Sequence, residues 1–122
     1  MLGTVEEVRN YFAHVFKYTH SVEAFTPDEA ILKAVENLTK MSLYYLKNSY
    51  GFEVVKLSPT QYELRFNKLG ERYLAIVRRK PEPTYTQQVR FLMRLYRLPV
   101  PTSGKEWLVT FRGPYSLGDE KW

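Results

Sequence analysis

The sequence predicts an α+β domain with a four-stranded, mainly antiparallel sheet and its helices chiefly on one face. Three observations carry that expectation: apolar residues recur with a period of 3.6 up to Gly51, the period becomes 2 from Phe52 to Lys80, and the connections within that second stretch are hairpin-short. At 122 residues and 44% hydrophobic content, the chain is one domain with a single core, and no repeat, linker or low-complexity tract divides it.

The first element, TVEEVRNYFAHVFKY, opens with a capping box in which Thr4 accepts from the backbone and Glu7 reaches back; Val5, Val8, Phe12, Val15 and Phe16 then share a face. The second, TPDEAILKAVENLTKMSLYYLKNSYG, reads as the longest helix, with Thr26 as N-cap, Pro27 in the first turn, Asp28 and Glu29 at the positive end of the dipole and Gly51 as the stop. FEVVKL and QYELRFN are strands joined by the turn SPT, and Tyr62, Leu64 and Phe66 alternate with Gln61, Glu63 and Arg65. NKLGE is a turn in which Gly70 takes positive φ, and RYLAIVRRK is the third strand of the meander. PEPT ends it, because proline donates nothing to a ladder.

TYTQQVRFLMRLYRLP is the last helix, with Thr84 and Gln87 as a second capping box. At 100° per residue, Arg90, Arg94 and Arg97 form a narrow ridge, while Tyr85, Val89, Phe91, Leu92, Met93, Leu95 and Tyr96 occupy about two thirds of the circumference. So wide an arc calls for cover on more than one side. EWLVTFR is the fourth strand, and GPYSLGDEKW has no period and reads as a loosely ordered tail over residues 113–122. The expected order is α-α-β-β-β-α-β.

Zero cysteines removes disulfides, thiolate metal sites and thiol catalysis. MLGTVEEV shows neither the basic start nor the apolar stretch of a secretory signal, so a cytoplasmic chain away from the membrane is expected. Tests for catalysis find little. The order of helix, meander, helix and strand is similar to the restriction-endonuclease-like core, in which an acid on the second strand and an acid-x-Lys on the third hold a divalent metal. Glu63 would be the first of these acids, but no carboxylate lies between Glu71 and Glu82. That pattern implies a degenerate descendant without activity. His14 and His20 are set six residues apart, out of alignment on a helix, and Ser103 beside Gly104 lies in a loop. No cofactor is expected and the protein reads as a non-enzyme.

Net charge is +5, distributed unevenly: −2 over residues 1–55, +8 over 56–112 and −1 over 113–122. A basic middle segment interleaved with rings suits single-stranded nucleic acid, whose phosphates need neutralising and whose bases need faces to stack on. Phe66, Trp107 and Phe111 read as core, whereas Tyr62, Tyr73 and Tyr85 read as half-exposed stacking rings. The cations expected around them are Arg65, Lys68, Arg72, Arg78, Arg79, Lys80, Arg90, Arg94 and Arg97. The alternative is a structural homodimer, of archaeal viral origin, held by the apolar arc of the last helix.

In its order of elements, its basic segment from GFEVVKL to EWLVTFR and its cysteine-free, Tyr- and Arg-rich composition, the chain resembles ThermoDBP, a non-OB single-stranded DNA-binding family of hyperthermophilic archaea. The resemblance spans residues 4 to 112. It implies sequence-tolerant DNA binding in a cleft with Tyr62, Tyr73 and Tyr85 as floor and Arg65, Arg78, Arg79, Arg90 and Arg94 as walls. Fuller members of that family carry a C-terminal helical assembly segment, and the heptads of such a segment do not occur here.

Overall fold

The computed structural model describes residues 3–80, 87–97 and 106–118, apart from the side chains of Gln87 and Arg90. Thr4 accepts from the Glu7 amide at 3.1 Å and opens α1 (Val5–Val15). Thr26 does the same for Glu29 at 3.1 Å, with Pro27 in the first turn, to open α2 (Pro27–Thr39). Between these helices lies β1 (Thr19–Glu23), a strand that the sequence pattern did not reveal. After α2 come α3 (Leu43–Tyr50), β2 (Phe52–Ser58), β3 (Gln61–Phe66), β4 (Glu71–Arg79), α4 (Gln87–Leu95) and β5 (Glu106–Ser116).

The result is an α+β fold whose described residues form four helices and one five-stranded antiparallel sheet, ordered β1-β5-β4-β3-β2. The expected order therefore gains a strand, and the sheet has five strands instead of four. β1 pairs with β5 along the edge, and within it only Val22 is buried, so its sequence carries almost no alternation. The expected long helix divides at Lys40, which takes the left-handed conformation at φ 59°. Local hydroxyls make the break. Thr39 donates to the Val35 carbonyl at 2.7 Å and accepts from the Met41 amide at 3.3 Å, and Ser42 caps α3 by accepting from Tyr45 at 3.1 Å.

One face of the sheet carries the core. Phe12 and Phe16 pack on Phe66 and Phe111, with ring centroids 4.7 Å (Phe12–Phe66) and 5.0 Å (Phe16–Phe111) apart, and Phe52 and Tyr73 complete the cluster. Trp107 donates from Nε1 to the Ala24 carbonyl at 2.8 Å, tying β5 to the entrance of α2. Phe66, Phe111 and Trp107 are all buried, as their alternation requires. Arg9 reaches from α1 to the Leu69 carbonyl at 2.9 Å and clamps the β3–β4 turn, where Gly70 has φ 68°. Capping box and proline stop before and after α4 fall on residues 81–86 and 98–105, outside the described residues.

β5 continues four residues beyond the expected end at Arg112. Gly113 makes that possible. Its φ is +136°, and a Cβ there would stand 2.9 Å from Tyr73 Cδ1 and 3.2 Å from the Arg72 carbonyl oxygen, where the β4–β5 register shifts. Two substitutions test these backbone constraints by chemical denaturation. Gly113→Ala should destabilise the protein by about 2 kcal/mol or more, through overpacking and a forbidden φ. Lys40→Gly should instead stabilise it by up to about 1 kcal/mol, by removing the Cβ penalty of the left-handed residue.

Candidate nucleic-acid interface

Strand pairing decides which way each expected site residue points, because alternate residues face opposite sides. Tyr62 pairs with Ala75 and Tyr73 with Leu64, all on the helix-covered face. Both tyrosines are core residues, 2% and 0% exposed, instead of half-exposed stacking rings. The Tyr62 hydroxyl donates to an Asp28 carboxylate oxygen at the start of α2, a bond that the tyrosine's strand position and the helix cap create together. Burial, then the carboxylate, push the Tyr62 phenol up to about 12. Burial also raises Tyr73, with Glu71 adding to the effect. Neither ring can lie against a base while the core is closed.

The opposite face carries Arg65, Arg72 and Arg78, together with Glu53, Glu63, Leu74, Ile76 and Leu108. Arg65 and Arg72 stand directly opposite each other, a repulsive placement relieved by carboxylates. Arg65 Nε lies 3.4 Å from Glu63 and 3.5 Å from Glu53, and Arg72 Nη1 lies 3.7 Å from Glu63. Arg72 is buried in this arrangement. Glu63, the acid that the nuclease-like pattern singled out, is thus held between two guanidinium groups. Among the described residues no cluster of three His, Asp or Glu suited to a metal occurs.

Two further cations are engaged as well. Lys68 donates to the Asn48 carbonyl at 2.7 Å in the last turn of α3, where it meets the negative end of the helix. Lys80 Nζ lies 3.3 Å from Glu106 across the mouth of the β4–β5 connection. Arg65, Lys68, Arg72 and Lys80, four of the cations expected at the site, thus each have a carboxylate or backbone partner within the fold. Tyr85 lies outside the described residues, and of Arg90 only its place in α4 is described.

What remains is the end of β4 and the helix that follows. Arg78 and Arg79 are exposed and point to opposite faces of the strand, as alternation requires. Arg79 sits over the Trp107 ring, 5.2 Å from its centroid, a cation–π contact that holds the guanidinium in place with its edge in water. Arg94 and Arg97 are exposed on and just beyond α4. Arg78, Arg94 and Arg97 make no ion pair among the described residues. Residues 78–97 hold six Lys/Arg against one Asp/Glu, while the rest of the chain balances twelve against twelve. The full net charge of +5 is therefore carried by this one segment.

The rings in this region are ones that sequence reasoning assigned to a covered arc. Phe91 and Tyr96 are 65% and 70% exposed. Their signal was present in the width of the apolar arc, which exceeds what one packing partner covers. Elsewhere, a cleft of about 220 Å³ is lined by Asp28, Leu32, Val54, Lys56 and Tyr62, smaller than the pockets that usually enclose a cofactor. No described helix is long and apolar enough to cross a membrane. In comparisons with known proteins, no family model, curated protein or solved structure matches the chain.

The buried phenol gives a pH test of this geometry. Native Tyr62 holds its proton more tightly than the unfolded chain, so its contribution to stability is complete below the ordinary phenol value and is lost as pH rises from 10.0 toward about 12. Denaturant midpoints measured across that window should fall for the native protein. In Tyr62→Phe the fall should be shallower, and an unchanged slope would mean that Tyr62 is accessible.

Proposed function

We propose that the protein is a non-enzymatic binding module for single-stranded nucleic acid, and that its interface is the segment from Arg78 to Arg97. The observation that carries this reading is the charge partition. Arg65 and Arg72 have carboxylates beside them and Lys68 is engaged by a backbone carbonyl, whereas residues 78–97 hold an excess of cations equal to the whole net charge, with exposed rings beside them. Arg78, Arg79, Arg94 and Arg97 would neutralise phosphates, and Phe91, which lies next to Arg94 on the helix, would offer a face to unpaired bases. Double-stranded DNA presents only base edges in its grooves and makes less use of such rings. The resemblance to ThermoDBP read from the sequence is what favours DNA over RNA, and the roles it implied for Tyr62 and Tyr73 do not carry over, since both are buried.

Titration of labelled oligo-dT at several salt concentrations tests the reading. With four arginines engaged, log K should fall against log salt with a slope of about −3. Arg78→Glu combined with Arg94→Glu should weaken binding about tenfold or more and flatten the slope, whereas Arg65→Gln, which alters a cation already paired with carboxylates, should leave the slope unchanged. Binding that ignores salt, or that depends on Arg65 as much as on Arg78, would reject the proposal.

A further inference from the structure

Among the described residues, α4 presents an exposed apolar surface. Val89, Leu92, Leu95 and Tyr96 are 40%, 49%, 62% and 70% exposed. At roughly 150–200 Å² per large side chain, these fractions leave on the order of 400 Å² of apolar area in one patch. That is the size of the largest apolar patch on a typical monomer, and such patches are often functional. It is also close to the apolar share of one side of a standard protein–protein interface, which buries about 800 Å² per partner, somewhat over half of it apolar.

We infer that the occupant is a second copy of this chain, and that two α4 helices pack antiparallel about a two-fold axis at Leu92. The argument is self-complementarity. Across such an axis, Leu92 meets Leu92, Val89 meets Leu95, and Gln88 meets Tyr96. Gln88 is exposed and lies on the wheel between Leu95 and Leu92, within the apolar arc. In a bilayer its amide would be desolvated without a partner. Against a second copy it faces the Tyr96 hydroxyl, so polar meets polar where apolar meets apolar elsewhere.

Charge permits the same arrangement. The Arg94 side of the helix faces away from Leu92, so the arginines of the two copies lie on the outer flanks of the pair. Helix axes pack about 8–10 Å apart, and each flank adds a side chain's length, so the separation exceeds the Debye length of about 8 Å at physiological salt. Dimerisation leaves the cations available and doubles them. That last consequence rests on the nucleic-acid reading, whereas the dimer itself does not.

Light scattering of the full chain without nucleic acid should give twice the 14.5 kDa chain mass. Leu92→Glu, which sets two carboxylates together at the axis, should give the chain mass with an unchanged circular dichroism spectrum. Because the chain has no cysteine, Leu92→Cys tests the register directly: mild oxidation should link it to itself, while Lys33→Cys on exposed α2 should not. A native chain that stays monomeric at every soluble concentration, a Leu92→Glu dimer, or a monomer that sediments with phosphatidylglycerol vesicles through α4 would each overturn the inference. A dimer that fails to bind oligo-dT would reject the proposed function and leave the dimer standing.

Discussion

The pairing of Leu64 with Tyr73 in the centre of the sheet is the constraint on which the rest of the molecule depends. It fixes the register of β3 and β4, and a slip of one residue would exchange the two faces. In this register every ring of the two strands enters the core, where Phe12, Phe16 and Phe66 interlock from helix and sheet. The same choice sends Arg65 and Arg72 to the other face, within reach of Glu63. A single register thus leaves the two tyrosine rings with too little exposed face to stack on a base and sets two arginines beside carboxylates. The basic surface has to be built elsewhere.

It is built on an excursion. β4 and β5 are antiparallel neighbours that a short turn could join, yet the chain leaves the sheet at Arg79 and returns at Glu106 with α4 between. The meander and α1 to α3 suffice to cover one sheet face, so α4 is not required for the core. Its residues accordingly show the opposite of core economy: large apolar side chains exposed on one side and arginine on the other. A nine-residue helix is marginal in water on its own propensity.

Much of the fold is legible in the sequence where local chemistry decides the outcome. Thr4, Thr26, Pro27, Gly51 and Gly70 mark caps and turns because each acts on its own backbone neighbours. β1 is illegible for the complementary reason: its stability comes from β5, some ninety residues away, and only Val22 is buried to mark it. The break at Lys40 is hidden because Met41 and Tyr45 continue the helical period, while Thr39 and Ser42 act against it through their hydroxyls. At the candidate site, the cationic segment was legible as composition. Which cations are neutralised was not, since Glu53, Glu63 and Glu106 find their partners only once the register is known. Tyr62 and Tyr73 were misjudged because a phenol on an alternating strand reads as half wet, and the Asp28 oxygen that accepts from Tyr62 comes from another element.

Central to the proposal is that an anion meets the end of β4 and α4, and not the sheet face that carries Arg65 and Arg72. Backbone amide shifts followed by NMR during addition of oligo-dT would test it most directly. The account predicts perturbations concentrated at Arg78, Arg79 and along α4, with Glu53, Glu63, Arg65 and Arg72 nearly still. Shifts centred on β2 and β3, or spread evenly over the molecule, would contradict it.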